Sequence, residues 1–500
     1  MTNPFPPPGP LGPFVANTYL PADDRATARV VDPADGSPVG VVAEATVDDV
    51  RAAMEAAARA QPRWEAIGGR ERARLLRRAA ERLAARREEL ARLVTREMGK
   101  VLFESRLEVD GAVENLEYYA DFGRTLSGEE VAGLPAGETV RLAWLPRGVV
   151  VAITPWNFPA ATVTRKIAPA LVGGNTMVLK PSSNTPLSAL LIAETLADAG
   201  LPPGVLNVVP GPGGRLGPAL LQHPACSTVT LTGSTASGVE VLRQAAPRVV
   251  KCLLELGGKA PVLVHEDADL DWAARAIVWA RYWNAGQACI AAERCLVQAS
   301  IADRFVEKVT SLVRALKLGP GLSSGVDIGP LYSVRARDAI ARDVDLGVAQ
   351  GAKVVTGGRV PTEPALARGA FYPPTVVRDL VDDNPLAREE IFGPVLPILT
   401  FDHWVEAIDR ANASRYGLSS YVFTQDLTRA EQAVRGLRYG ETYVNRVGPE
   451  SPQGYHAGFR ESGLGGEGTV WGVRDYLQLK TIYVDWKSPH RADYFLPYDR

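Results

Sequence analysis

A cysteine and a glutamate carry most of the chemistry this sequence can offer. Cys289 closes the run Asn284-Ala285-Gly286-Gln287-Ala288-Cys289, and Glu255 opens the run Glu255-Leu256-Gly257-Gly258-Lys259 upstream of it. Cysteines are most often small buried hydrophobes, and Cys226, Cys252 and Cys295 are read that way. Cys289 differs because the residues before it are small or polar, so backbone can approach a ligand and the sulfur is left open to it. A thiolate attacks a carbonyl carbon to give a hemithioacetal or a thioester, and a nearby carboxylate can then activate the water that releases the acyl group.

Other runs supply what such a reaction needs. Asn157, between the aromatics of Thr154-Pro155-Trp156-Asn157-Phe158-Pro159, offers an amide N–H to a developing oxyanion. Lys180, in Leu179-Lys180-Pro181-Ser182-Ser183, ends a strand-like run and places an ammonium where a ribose hydroxyl or a phosphate can meet it. Gly233 and Ser234 lie where a strand gives way to a glycine turn and a helix start, which is an anion site. Gly211, Gly213, Gly214 and Gly217 miss the GxGxxG spacing and read as loop glycines. The cysteines and histidines show no metal-ligand spacing, so no metal is expected.

The elements that position these residues follow from periodicity. Val149–Ile153, Thr176–Leu179, Val205–Val209, Thr228–Leu231 and Val262–Val264 are short β-branched runs with helical stretches between several of them, the pattern of a parallel α/β sheet. A second α/β region runs from about Asp267 to Asn445, with strands near Arg294–Val297, Lys353–Thr356, Val395–Thr400 and Ser420–Phe423. Glu138–Pro146 and Lys480–Trp486 alternate like strands outside either βαβ rhythm, so they form a small separate β element able to pair with another subunit. Thr46 and Asp49 are spaced as a capping box at the start of a helix, and Arg70–Arg96 reads as one further helix with a solvated, arginine-rich face. Met1–Pro13 reads as an extended arm without a fold of its own.

With 500 residues, 46% of them hydrophobic and 22% charged, the chain can bury large cores in two or more domains. A net charge of -2 speaks against a nucleic-acid or anionic-membrane partner. Few cysteines, no signal-peptide pattern and no long apolar run point to the cytoplasm.

Taken together and in order, Pro155-Trp156-Asn157, Leu179-Lys180-Pro181-Ser182, Thr232-Gly233-Ser234, Glu255-Leu256-Gly257-Gly258-Lys259, Gly286-Gln287-Ala288-Cys289 and Glu389-Glu390-Ile391-Phe392-Gly393-Pro394 resemble the aldehyde dehydrogenase superfamily from about residue 20 to 486. The C-terminal runs Gly440–Arg446, Glu450, Gln453-Gly454 and His456-Ala457-Gly458, with Thr164-Arg165-Lys166, are similar to its lactaldehyde and glycolaldehyde dehydrogenase branch.

The resemblance implies an α/β fold with a parallel-sheet cofactor domain (21–124 and 147–256), an α/β catalytic domain (257–474), and an oligomerisation element with a C-terminal tail (125–146 and 475–500) behind the 1–20 arm. It implies oxidation of an aldehyde to a carboxylic acid by NAD or NADP, on short hydroxyaldehydes or a broad aldehyde range, in a homodimer or homotetramer. Cys289 is then the nucleophile, Glu255 the base and Asn157 the oxyanion donor, while Lys166 and Glu467 match a proton relay or structural charges. Trp156, Lys180, Ser183, Gly233, Ser234, Glu390 and Phe392 would bind the cofactor, and Arg165, Glu450 and His456 would line the substrate mouth. Ser183 stands where NAD-preferring members often carry glutamate. Its side chain does not repel the 1.5 to 2 or so negative charges of a 2′-phosphate, so NADP is tolerated. The tail 487–500, with Tyr494, Phe495 and Tyr498, is expected to dock on a neighbouring subunit or a substrate entrance. A CoA-acylating enzyme has less need of Glu255, a semialdehyde dehydrogenase shares the same machinery, and a catalytically silent relative would be free to lose Cys289, Glu255 and Asn157.

Overall fold

A computed structural model describes residues 5–7, 9–134 and 136–486. Two large sheets dominate. Across the first, eight-stranded sheet the order is Gly463–Leu464, Lys251–Glu255, Cys226–Thr232, Val149–Ile153, Thr176–Lys180, Leu206–Val208, Phe14–Val15, Thr18–Tyr19. Its five central strands run parallel. The second, seven-stranded sheet is ordered Lys353–Thr356, Thr375–Arg378, Val395–Phe401, Arg294–Gln298, Pro261–Val264, Ser419–Phe423, Glu441–Val444.

Both sheets are covered on both faces, which is why their strands read as continuous apolar runs. In the first sheet Val150 and Ala152 join one apolar cluster while Val149 and Val151 join another. The second repeats this, with Val262 and Val264 on one side and Leu263 on the other. Val262–Val264 therefore belongs to the second sheet and not to the rhythm that precedes it.

Strand order reverses between Val149–Ile153 and Cys226–Thr232, and ligands in open parallel sheets bind outside the carboxyl ends at such a point. Thr232 pairs with Glu255 and Ile153 with Lys180, so those ends form one edge. Residues 256–260 carry the chain from that edge to the amino end of Pro261–Val264, which places the edge opposite the loop that enters Arg294–Gln298. Gly463–Leu464 adds antiparallel to Lys251–Glu255 and brings the C-terminal segment to the same edge.

Glu138–Pro146 and Leu477–Asp485 pair antiparallel along their whole length, with Glu129–Glu130 on the far edge, in a separate three-stranded sheet. Leu479, Tyr483 and Trp486 are exposed along it. The capping box at Thr46 and Asp49 forms as its spacing predicts.

Three local expectations change. Arg70–Arg96 is two helices, Gly68–Ala85 and Arg87–Met98, because Arg86 leaves the helical path and its guanidinium ties to Glu89 at 2.8 Å and to Glu194 of a neighbouring helix at 3.1 Å. Gly213, Gly214 and Gly217 lie in the helix Gly213–Leu221, where burial of Leu216, Leu220 and Leu221 outweighs the roughly 1 kcal/mol that each glycine costs. Gly211 alone stays in the loop, at φ 146°. Pro10–Leu11 pairs with Pro38–Ala43, so the proline-rich start is partly built into a sheet. The tail 487–500 lies outside the described residues. Among those residues no helix is long and apolar enough to cross a membrane.

Candidate active site

A cavity of about 610 Å³ opens between the carboxyl edge of the first sheet and the amino edge of the second, and Cys289, Glu255, Asn157, Arg165, Glu450, His456 and Glu467 line it. After helix Leu270–Tyr282 the chain passes through Asn284 at φ 51°, Ala285 at φ 52° and Gly286 at φ 75°. Left-handed backbone at non-glycine residues costs about 1–2 kcal/mol each, so the loop must be held from outside. Glu104 accepts the Asn284 N–H at 3.0 Å, and Arg281 donates to Gly286 O at 3.0 Å. Arg281 and Lys259 converge on Glu293, and the two cations outweigh burial to hold its carboxyl down at about 2. A side chain at 258 would collide with Cys289 O at 2.7 Å, and one at 257 would displace the Glu390 carboxylate. That explains the two glycines after Glu255.

Asn157 is tied to the same loop. Its Nδ2 donates to Gln287 O at 3.1 Å, and its own carbonyl accepts from Asn284 Nδ2 at 3.0 Å and Lys100 Nζ at 2.8 Å. Lys100 also bonds Glu108, and Glu108 accepts the Ala160 and Ala161 N–H groups at 2.7 and 3.2 Å. Sequence reasoning missed Lys100, Glu104 and Glu108, since Lys100 lies between the helices Arg87–Met98 and Leu102–Thr125 and no motif marks any of the three. The only hint is their fourfold spacing, and burial is decided by the helices packed over them. Removing one member of a fully buried ion pair costs about 3–5 kcal/mol. Lys100→Met is therefore expected to lose that much stability in urea unfolding, and Lys100→Met with Glu108→Gln to recover part of it.

Glu255 ends its strand buried, and neither carboxylate oxygen has a hydrogen-bond partner. His456 Nε2 stands 3.7 Å from Glu255 Oε2, too long for a hydrogen bond and close enough for a charge to act. Burial raises the Glu255 pKa well above the carboxylate range, against the pull of His456. Lys166, fully buried on helix Ala161–Val172, donates to Glu467 at 2.7 Å and to Thr230 at 3.0 Å. Arg165 bonds Glu450 at 2.6 Å and lies 3.3 Å from Glu467. That pairing outweighs burial and holds the Glu450 carboxyl at about 2.

Trp156 stacks on Tyr332 at 3.8 Å between ring centres and meets Phe392 edge-on at 5.5 Å. Glu390 accepts the Gly258 N–H at 2.8 Å, and burial lifts its carboxyl to about 7. Gly233 lines the cavity, and Ser234 caps helix Thr235–Ala245 by accepting from the Ser237 N–H. Lys180 and Ser183 do not line it; they meet at Gly211 O, at 3.1 and 3.0 Å, farther along the same sheet edge. Burial lowers the Lys180 ammonium to about 8. Trp279 and Trp283 form aromatic walls that no motif announced, with Phe158 of the Asn157 run packed against Trp283.

The arrangement joins a thiol, an amide donor, a buried carboxylate and aromatic walls in one cavity. Residues 19–482 match the model of the aldehyde dehydrogenase family. The chain is 41% identical to the D-glyceraldehyde dehydrogenase (NADP(+)) of Picrophilus torridus, over 95% of this chain and 96% of that one. It is 40% identical to the lactaldehyde dehydrogenase of Escherichia coli, over 91% and 94%. The solved structure of a 3,6-anhydro-L-galactose dehydrogenase in complex with NAP superimposes with a TM-score of 0.93 at 37% identity, over 95% of this chain and 100% of that one. With the cavity geometry and nearly the whole length in agreement, this chain belongs to the aldehyde dehydrogenase family.

Proposed function

We propose that the protein oxidises short hydroxyaldehydes to carboxylic acids with NADP or NAD, through a covalent adduct on Cys289. One observation carries the reading: Cys289, Asn157 and Glu255 face one cavity, and Arg165 and Glu450 stand at its wall as a hydrogen-bonding pair for a substrate hydroxyl. The residues also fit a dinucleotide. Thr232 Oγ1 at the strand end is buried without a partner, and the adjoining helix start, Glu390 and the Trp156–Phe392 wall lead from it. Trp156 and Phe392 would pack the nicotinamide end, Glu390 would hold its ribose, and Gly233 and Ser234 would take the pyrophosphate.

Cys289 sulfur bonds to the aldehyde carbon, and the carbonyl electron pair moves to oxygen. Asn157 Nδ2 keeps one N–H for that oxyanion after serving Gln287, and the Cys289 backbone N–H is the second donor. A bound nicotinamide supplies the hydride acceptor. Glu255 then takes a proton from water that attacks the thioester, and Lys166 and Glu467 carry the proton away.

Residues 21–124 and 147–256 serve the cofactor, and 257–474 supply the thiol. The exposed Leu479, Tyr483 and Trp486 support assembly of a homodimer or homotetramer through the small sheet. Four free cysteines support a cytoplasmic enzyme. A steady-state screen of hydroxyaldehydes, semialdehydes and aromatic aldehydes with each cofactor tests the reading; it fails if no hydroxyaldehyde yields NADPH or NADH. Ser183→Glu sets a carboxylate beside Gly211, and is expected to raise KM for NADP about tenfold or more while KM for NAD changes little.

A further inference from the structure

Arg165 and His456 are the basic side chains that line the cavity among the described residues, and each already faces two carboxylates. Arg165 Nη1 donates to Glu450 at 2.6 Å, and its Nε stands 3.3 Å from Glu467. His456 Nδ1 lies 2.9 Å from Glu441, and its Nε2 lies 3.7 Å from Glu255. Lys166, fully buried, spends its charge on Glu467 at 2.7 Å. Glu114, on helix Leu102–Thr125, adds a further carboxylate to the lining. None of these cations is left over for an acid group carried in by a substrate.

We propose that Glu450 selects the charge of the substrate: it closes Arg165 to a carboxylate, so the enzyme accepts neutral hydroxyaldehydes and rejects semialdehydes, whose far end is an acid. This rests on the aldehyde oxidation proposed above and names what that cavity excludes.

A guanidinium recognises a carboxylate best through two parallel N–H bonds. Arg165 turns Nε to Glu467 and Nη1 to Glu450, so an incoming carboxylate must displace one of them or become the third acid at one cation. Glu450 thereby supplies a repulsive element against the competitor, beyond any contact it makes with the favoured substrate. Burial would raise its carboxyl, but Arg165 and then His456 outweigh burial and hold it at about 2, so the charge is present at any neutral pH. Trp279, Trp283 and Ile290 wall the same cavity, and apolar walls screen that repulsion far less than water does. A hydroxyl meets the pair differently. It donates to Glu450, which has about four acceptor sites and gives one to Arg165, and it accepts from the guanidinium.

The test compares kcat/KM of the full-length protein for succinate semialdehyde and for its methyl ester, which has the same chain without the charge, with glyceraldehyde alongside. Wild type is expected to prefer the ester over the acid by about tenfold or more. Glu450→Gln keeps the volume and an acceptor for Arg165 but removes the charge, and should raise the acid-to-ester ratio by about tenfold or more while glyceraldehyde oxidation falls. Damage to packing alone would lower acid and ester together and leave their ratio unchanged, which overturns the proposal. Glu450→Asp keeps the charge and should keep the wild-type preference; a ratio that moves as far as in Glu450→Gln points to shape and overturns it too. If Glu450→Gln does not fold, the wild-type ratio decides, and a wild type that takes the acid as readily as the ester refutes the charge filter. A wild type that oxidises glyceraldehyde with no preference between acid and ester loses the filter and keeps the hydroxyaldehyde reading. Strong preference for the ester without turnover of any hydroxyaldehyde does the reverse, and no turnover of acid, ester or glyceraldehyde overturns both.

Discussion

Cys289→Ala is expected to abolish aldehyde oxidation, lowering kcat/KM by about 10⁴-fold or more, because no other thiol lines the cavity among the described residues. The residue lies partly exposed at the cavity wall, and its loop is held by Glu104, Arg281 and Asn157 through backbone groups that the substitution leaves untouched. Fold and cofactor affinity should therefore stay close to wild type. Absorbance at 340 nm reads turnover, and cofactor titration by fluorescence reads binding. Substantial NADPH or NADH formation by Cys289→Ala would remove the covalent mechanism altogether.

Glu255→Gln is expected to separate the two half-reactions. The amide keeps the buried volume but cannot take a proton from water, so one equivalent of reduced cofactor should appear quickly and turnover should then fall by about 10²–10⁴-fold. Stopped-flow absorbance measures the burst, and intact-mass spectrometry should find the acyl group on the protein. In wild type the steady rate should climb as pH rises through the elevated pKa of Glu255, because only the ionised form is a base. The burst phase of Glu255→Gln should lack that limb. Loss of the burst together with steady turnover would place Glu255 in the first step and contradict its assigned role.

Much of the fold was legible because each local signal agreed with its neighbours. Val149–Ile153 and Ser420–Phe423 are β-branched or aromatic runs whose two faces are both buried, so they stand out at almost their observed bounds. The break at Arg86 was not legible, because apolar spacing continues through it and only the pull of Glu194, more than a hundred residues away in sequence, gives it a reason. Glycines 213 and 214 misled for the opposite cause. Their local preference for a loop was overruled by leucines that bury on one helical face.

For the site, residue type and order already placed an amide, a carboxylate and a cofactor groove on strand ends and a thiol in a run of small residues, because motifs at turns keep their meaning wherever the turns lie. Lys166 with Glu467 and Arg165 with Glu450 are pairs hundreds of residues apart, and only the added strand Gly463–Leu464 brings the second members to the first. Lys100, Glu104 and Glu108 carry no motif in the sequence, and only burial makes them the frame of Asn157 and the Cys289 loop. The chain's own sequence thus determined which groups are chemically able to react, since that depends on chemical type. Which proton each group holds was decided by tertiary structure, since that depends on burial and on neighbouring charge, and neither has a sequence period.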